Sequence, residues 1–184
     1  CLRTPLLESP PLAQRLGAAA AYLKPETLQR GGAFKFRGAM SRISKMTPDE
    51  LARGVVAFSS GNHAQGVAIA AAMAGTAATI VIPSDAPRIK IAAARAAGAT
   101  VRLYDRYTED REAIAAEIAG AQGAVVIPAF DDADVIAGQG TLGLEIAAQA
   151  LEAGGPLDIL LCCVGGGGLI AGVSTALAAR SAAT

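Results

Sequence analysis

The sequence predicts an α/β fold in which parallel sheets are flanked by helices. Two observations carry this. From Gly54 onward, short apolar, β-branched runs recur: "VVAF" (55–58), "TIVIP" (79–83), "TVRLY" (100–104) and "AVVIP" (124–128). Between them lie "NHAQGVAIAAAMAG", "PRIKIAAARAAG" and "TEDREAIAAEIAG", each alanine-rich, of helix length and closed by glycine. Runs that are apolar throughout, rather than alternating, suit strands covered on both faces. Strands alternating with helices at this spacing imply parallel βαβ units with right-handed crossovers.

The remaining elements follow in order. "TPLLESP" (4–10) reads as extended, "AAAAYLKPE" (18–26) as a strand and "FRGAMSRISKM" (36–46) as a helix. Thr47 then supplies an N-cap with Pro48 at the first helical position. Beyond the βαβ region come a helix "QGTLGLEIAAQALEAGG" (139–155), a strand "LDILLCCV" (157–164), four glycines, and a helix "LIAGVSTALAA" (169–179). This suggests a small αβ domain, 54–131, inserted between 1–53 and 132–184, which form part of a larger cofactor domain. A sheet begun as late as 157 has nowhere to continue within 184 residues, and no methionine opens the chain, so further sequence is expected.

Lysine plus arginine balance aspartate plus glutamate at 16 each, with no basic run, so nucleic acid and anionic membrane have no electrostatic footprint. Charged residues are 17% against a usual value of roughly 25%. A surface so poor in charge implies faces buried against additional sequence or another subunit, so a homo-oligomer is expected. The uncharged stretches Gly54–Ser84 and Ile159–Ala179 are long enough to span a bilayer. Pro83 and Asn62 interrupt the first, and four glycines the second; each glycine costs a helix interior about 1 kcal/mol. Both read as strand, turn and helix. The cysteines, Cys1, Cys162 and Cys163, form no C-x-x-C pair, and His63 is the single histidine, so no metal site assembles by the usual spacing. Cys162 and Cys163 are expected as buried core thiols. "CLRTPLLESP" is no signal peptide, and a reducing cytoplasm is expected.

Three stretches could carry chemistry. In "QRGGAFKFRGA" (29–39), Lys35 lies between Phe34 and Phe36, in a chain with four phenylalanines. Either its stem snorkels along apolar surface, or burial lowers its pKa and makes it a nucleophile. In "FSSGNHAQG", Ser59, Ser60, Gly61, Asn62 and His63 follow a strand, at the carboxyl end where parallel sheets bind ligands. They suit a carboxylate, with plain N-capping as the alternative and, for His63, a satisfied core histidine. "SSGNH" is no G-x-S-x-G elbow. In "CCVGGGGLIAG", Gly165, Gly166, Gly167 and Gly168 lead from strand to helix, an arrangement whose exposed N–H groups hold phosphate. Gly166, Gly168 and Ala171 also fit the dinucleotide pattern G-x-G-x-x-A. No lysine follows the glycines, which excludes the nucleoside-triphosphate loop. A cofactor that joins a lysine to a phosphate is pyridoxal 5′-phosphate.

"KPETLQRGGAFKFRGA", "SSGNHAQGVA" and "GGGGL", in this order and spacing, resemble the fold-type II pyridoxal-phosphate enzymes, specifically the threonine/serine dehydratase and serine racemase group. The resemblance spans the whole chain and implies a two-domain architecture. It implies that Lys35 is the Schiff-base lysine, that Phe34 lines the cofactor ring and that Asn62 bonds the 3′-oxygen. Gly165 to Leu169 would cradle the phosphate, and Ser59 to His63 would hold the carboxylate of a small amino-acid substrate. Ser60 matches the second-face base of racemases. The implied activity is conversion of L-threonine and/or L-serine to a 2-oxo acid and ammonia. Alternatives are racemisation, a nicotinamide dinucleotide domain, and a fragment inactive alone. Gly31 and Ala33 depart from the threonine and serine common in the family, and neither is a reacting group. The family's partner for the pyridine nitrogen and its metal ligands lie past the glycine run.

Overall fold

In the structure, a computed structural model, residues 1–181 are described. The predicted alternation is present. β3 (Val55–Phe58), β4 (Ala78–Pro83), β5 (Thr100–Tyr104) and β6 (Val125–Val126) form one parallel sheet in the order β5-β4-β3-β6. Val55 pairs with Ala78 and Val125, and Val81 with Arg102. Val55, Val56, Ile80, Val81 and Ile82 are buried, as continuous apolar runs require of strands covered on both sides. β5 sits at the edge and its burial alternates, with Thr100 and Arg102 exposed.

The helices α4 (Asn62–Ala74), α5 (Arg88–Ala96) and α6 (Arg111–Gln122) connect these strands. Val67, Ala68 and Ala71 of α4 pack on Val55, Ile80 and Ile82, while Ala115 of α6 covers Val56 and Val81 on the other face. α4 closes at Gly75, but α6 runs through Gly120 and closes at Gly123 (φ 66°), the residue that adopts the left-handed cap.

The preceding segment is less regular than its composition suggested. β1 (Leu7–Glu8) pairs antiparallel with β2 (Tyr22–Leu23), so the strand expected over 18–26 shrinks to two residues. α1 (Pro10–Leu16) lies between them, with proline in its first turn. α2 spans Lys35–Ser44, and α3 (Pro48–Arg53) opens with a full capping box between Thr47 and Glu50. The core under α4 extends to Phe36, Ala39 and Ile43 of α2.

α7 (Ala133–Glu152) begins six residues earlier than its sequence pattern suggested, because Asp132 caps it by accepting from the N–H groups of Asp134 and Val135. α8 spans Gly168–Ser181. Two sequence expectations are corrected here. Residues 157–164 form no strand, and Ile159, Leu161 and Val164 are 78, 87 and 66% exposed. A strand needs a ladder partner, and among the described residues none lies beside this run. For the same reason Cys162 is only half-buried and Cys163 is exposed, not a core thiol.

Helix α2 is gripped on both sides by close backbone contact. A Cβ on Gly66 of α4 would stand 3.0 Å from the Lys35 carbonyl carbon, and one on Gly138 of α7 would stand 2.6 Å from the Gly38 Cα. Arg37, 1% exposed, anchors α2 through charge. Its guanidinium donates to Glu26 at 2.7 and 2.9 Å and to Glu145 of α7 at 2.7 and 3.0 Å. Lys24 donates to Glu145, Gln149 and the Thr4 carbonyl. Burial lowers the Lys24 pKa despite Glu145 beside it. Burial alone would raise that of Glu145, but its bonds to Arg37 and Lys24 hold it below the usual carboxylate value. Two cations thus balance two carboxylates. Arg37→Ala leaves those carboxylates uncompensated and should cost about 3–5 kcal/mol in urea unfolding; a loss below about 1 kcal/mol would show the network to be idle.

Candidate active site

The strand order places the site. From β3 the chain moves outward to β4 and β5, then returns to lay β6 on the other side of β3. Such a switch in direction opens a crevice at the carboxyl ends of the two strands concerned. β3 delivers Ser59 to His63 there, and β6 delivers Ile127 to Phe130.

Lys35 enters this crevice from α2. Gly31 (φ 71°) and Gly32 (φ 68°) take left-handed conformations, turning the chain so that Lys35 becomes the first residue of the helix. Its Nζ donates to the Ala129 carbonyl at 2.6 Å and lies 5.2 Å from the centre of the Phe34 ring. Among the described residues no carboxylate pairs with it, and burial lowers its pKa. The sequence left two readings of Lys35 open; its amine is half-buried and bonded to a carbonyl.

The Ser59–His63 corner divides its tasks. The Ser59 hydroxyl accepts from the Gly61 N–H at 3.1 Å. Asn62, at the start of α4, accepts at Oδ1 from Lys90 Nζ at 3.1 Å, which leaves its amide N–H groups as the end available to a ligand. Ser60 is exposed. His63 is 4% exposed and donates from Nε2 to the Ile127 carbonyl at 2.9 Å. Burial, reinforced by the charge on Lys35, pushes its pKa down to about 4, against the bond to Ile127. It is therefore a neutral imidazole that ties α4 to the end of β6.

The glycine turn completes the crevice. Gly167 has φ 87°, and a Cβ on Gly165 or Gly167 would meet nothing within 4 Å. Gly166 and Gly168 instead abut Phe130. The turn opens into the N-terminus of α8, where backbone N–H groups and the helix dipole favour an anion. Leu169 is half-buried and packs near Leu142, Ile146 and Val173.

The lysine, the serine–asparagine corner and the glycine turn thus meet through residues 127–130. Ile127 accepts from His63, Ala129 accepts from Lys35, and Phe130 packs on the glycines. Sequence reasoning missed Ala129, Phe130 and Lys90. Only Phe130 carried a signal, as one of four phenylalanines, two residues past a predicted strand. The residues fit a phosphate-bearing aldehyde, since a half-buried amine and a glycine turn with two open faces at the N-terminus of α8 are joined through Ala129 and Phe130.

The comparisons agree. Residues 1–184 match the family model for pyridoxal-phosphate dependent enzymes. The protein belongs to this family. The chain is 51% identical over 179 residues to an L-threo-3-hydroxyaspartate ammonia-lyase of Saccharomyces cerevisiae, covering 97% of this chain and 53% of the relative. It is 45% identical over 178 residues to a serine racemase of Schizosaccharomyces pombe, covering 97% and 53%. Among solved structures, maize serine racemase superimposes with a TM-score of 0.92 at 36% identity, covering 98% of this chain and 54% of that one. The processed form of threonine deaminase isoform 2 from Solanum lycopersicum gives 0.87 at 41% identity, covering 100% and 52%. The chain spans about half the length of the curated relatives it matches. Family membership sets aside the dinucleotide reading of the glycine run. No helix among the described residues is long and apolar enough to cross a membrane.

The His63 environment predicts an acid-sensitive fold. Its folded pKa lies below its unfolded value of 6.5, so its contribution is full above pH 6.5 and is lost as pH falls through 4. At 1.36 kcal/mol per pH unit this amounts to about 3 kcal/mol. His63→Asn should flatten the stability–pH curve over that window; an unchanged slope would assign the acid sensitivity elsewhere.

Proposed function

We propose that the protein carrying this chain is a pyridoxal-phosphate-dependent ammonia-lyase that converts L-threonine and/or L-serine to a 2-oxo acid and ammonia. The observation behind this is the Lys35 amine, half-buried, bonded among the described residues only to a neutral carbonyl, and linked through Ala129 and Phe130 to the glycine turn and through Ile127 to the serine–asparagine corner. In this reading 54–131 is the small domain, and 1–53 with 132–184 belong to the large one.

Lys35 would hold the cofactor aldehyde, Phe34 would pack on its ring, and Asn62 would donate to its 3′-oxygen. The backbone N–H groups from Gly165 to Leu169 would take the phosphate. Ser59, Ser60, Gly61 and Asn62 would frame the substrate carboxylate, while His63, expected there from the sequence, is buried and bonded to the Ile127 carbonyl and would hold the corner in place. When bound, the cofactor supplies an electron sink for the charge left on the α-carbon. Once the substrate's own amine has displaced it, the freed Lys35 amine, its pKa lowered by burial, would remove the α-proton and return one to the departing β-hydroxyl, which would leave as water. The unsaturated amine released then hydrolyses to the 2-oxo acid and ammonia. Lys35→Ala in the complete enzyme should abolish the absorbance band of the lysine-linked cofactor and reduce turnover by about 1,000-fold or more. Retention of both would refute the assignment.

Racemisation is the second reading, favoured by the exposed position of Ser60 at the corner and by the serine racemases among the relatives. Ser60 would deliver a proton to the face opposite Lys35. With L-serine as substrate, Ser60→Ala should then cut formation of D-serine by about 100-fold, well beyond its effect on 2-oxo acid formation. Equal losses in both products would leave Ser60 a binding residue only.

A further inference from the structure

Within the glycine run the four residues divide by face. A Cβ on Gly166 would fall on the Phe130 ring, with Cε1 at 2.6 Å, and one on Gly168 would lie 2.9 Å from the Phe130 carbonyl oxygen. Gly165 and Gly167 face open space. Phe130 directly follows Ala129, whose carbonyl holds the Lys35 amine. One short piece of chain therefore touches both ends of the candidate cofactor site, and nothing in the family match or the relatives' names assigns it a part.

We propose that Phe130 is a positioning residue. Its ring backs the glycine turn and sets the distance between that turn and Lys35, so that Gly166 is a glycine for the ring and Gly168 one for the Phe130 backbone, while Gly165 is a glycine for the phosphate and Gly167 one for both the phosphate and its own φ of 87°. This rests on the reading of the crevice as the pyridoxal-phosphate site. Alternate residues of the turn thereby serve opposite sides. A substitution on the ring side acts by displacing the turn, and one on the open side acts by filling the ligand's space.

The test is a double-mutant cycle in the complete enzyme. Cofactor affinity is read by absorbance titration, and thermal unfolding is measured without cofactor. Phe130→Ala should weaken cofactor binding about tenfold. Gly166→Ala should weaken it further and lower the unfolding temperature, because the added methyl meets the ring. The double variant should bind no worse than Phe130→Ala alone, since the methyl then occupies space the ring has left. Gly165→Ala should weaken binding with no change in the cofactor-free unfolding temperature. Additive losses in the double variant, or identical behaviour of Gly165→Ala and Gly166→Ala, would overturn the proposal. Lys35→Ala separates the two levels. If that variant keeps the lysine-linked band, the site reading itself fails; if it loses the band while the cycle is additive, only the role of Phe130 fails.

Discussion

The site depends on how closely α2 approaches its neighbours. Gly66 lets α4 touch the backbone of Lys35 and Phe36, and Gly38 and Gly138 let α7 meet α2 from the other side. Packed interiors do not yield by an ångström without cost. A side chain at either contact would push α2 sideways, and the Lys35 amine would leave the Ala129 carbonyl, which it meets at 2.6 Å. Positioning of the Lys35 amine is thus delegated to glycines with no chemistry of their own.

The same helix sends two cations to opposite surroundings. Residues two apart on a helix do not share a face. Lys35 points to the crevice, while Arg37 reaches Glu26, Thr4 and Glu145 and binds the N-terminal segment to α7. Gln29 adds to this by pairing with both the N–H and the carbonyl of Leu2. Buried ion pairs return little net stability, because desolvation offsets their attraction. Four groups that must all find partners nevertheless admit few alternative arrangements, and this fixes where α2 starts.

What the sequence disclosed follows from what is local. The four strands of the parallel sheet were legible because each is a run of β-branched residues bounded by glycine or proline. α4 was legible from its closing glycine, and α3 from Thr47 and Pro48. Gly120 misled because a glycine can sit inside a helix; only the left-handed φ of Gly123 marks the true end. Lys35, the Ser59–His63 corner and the glycine turn stood out by unusual composition. Arg37, Lys24, Glu26 and Glu145 did not, since charges up to 121 residues apart pair only after folding. Ala129 acts through its carbonyl, which every residue type possesses, so no sequence pattern could single it out.

Residues 157–164 have a further consequence. Leu157 and Leu160 pack against α7 and α8, but Ile159, Leu161 and Val164 stand in solvent, and among the described residues no strand pairs with this run. Such a ribbon is adhesive, since any extended chain that approaches can zip onto it. That run, unlike the well-packed sheet, is therefore the segment whose conformation depends most on what lies against it.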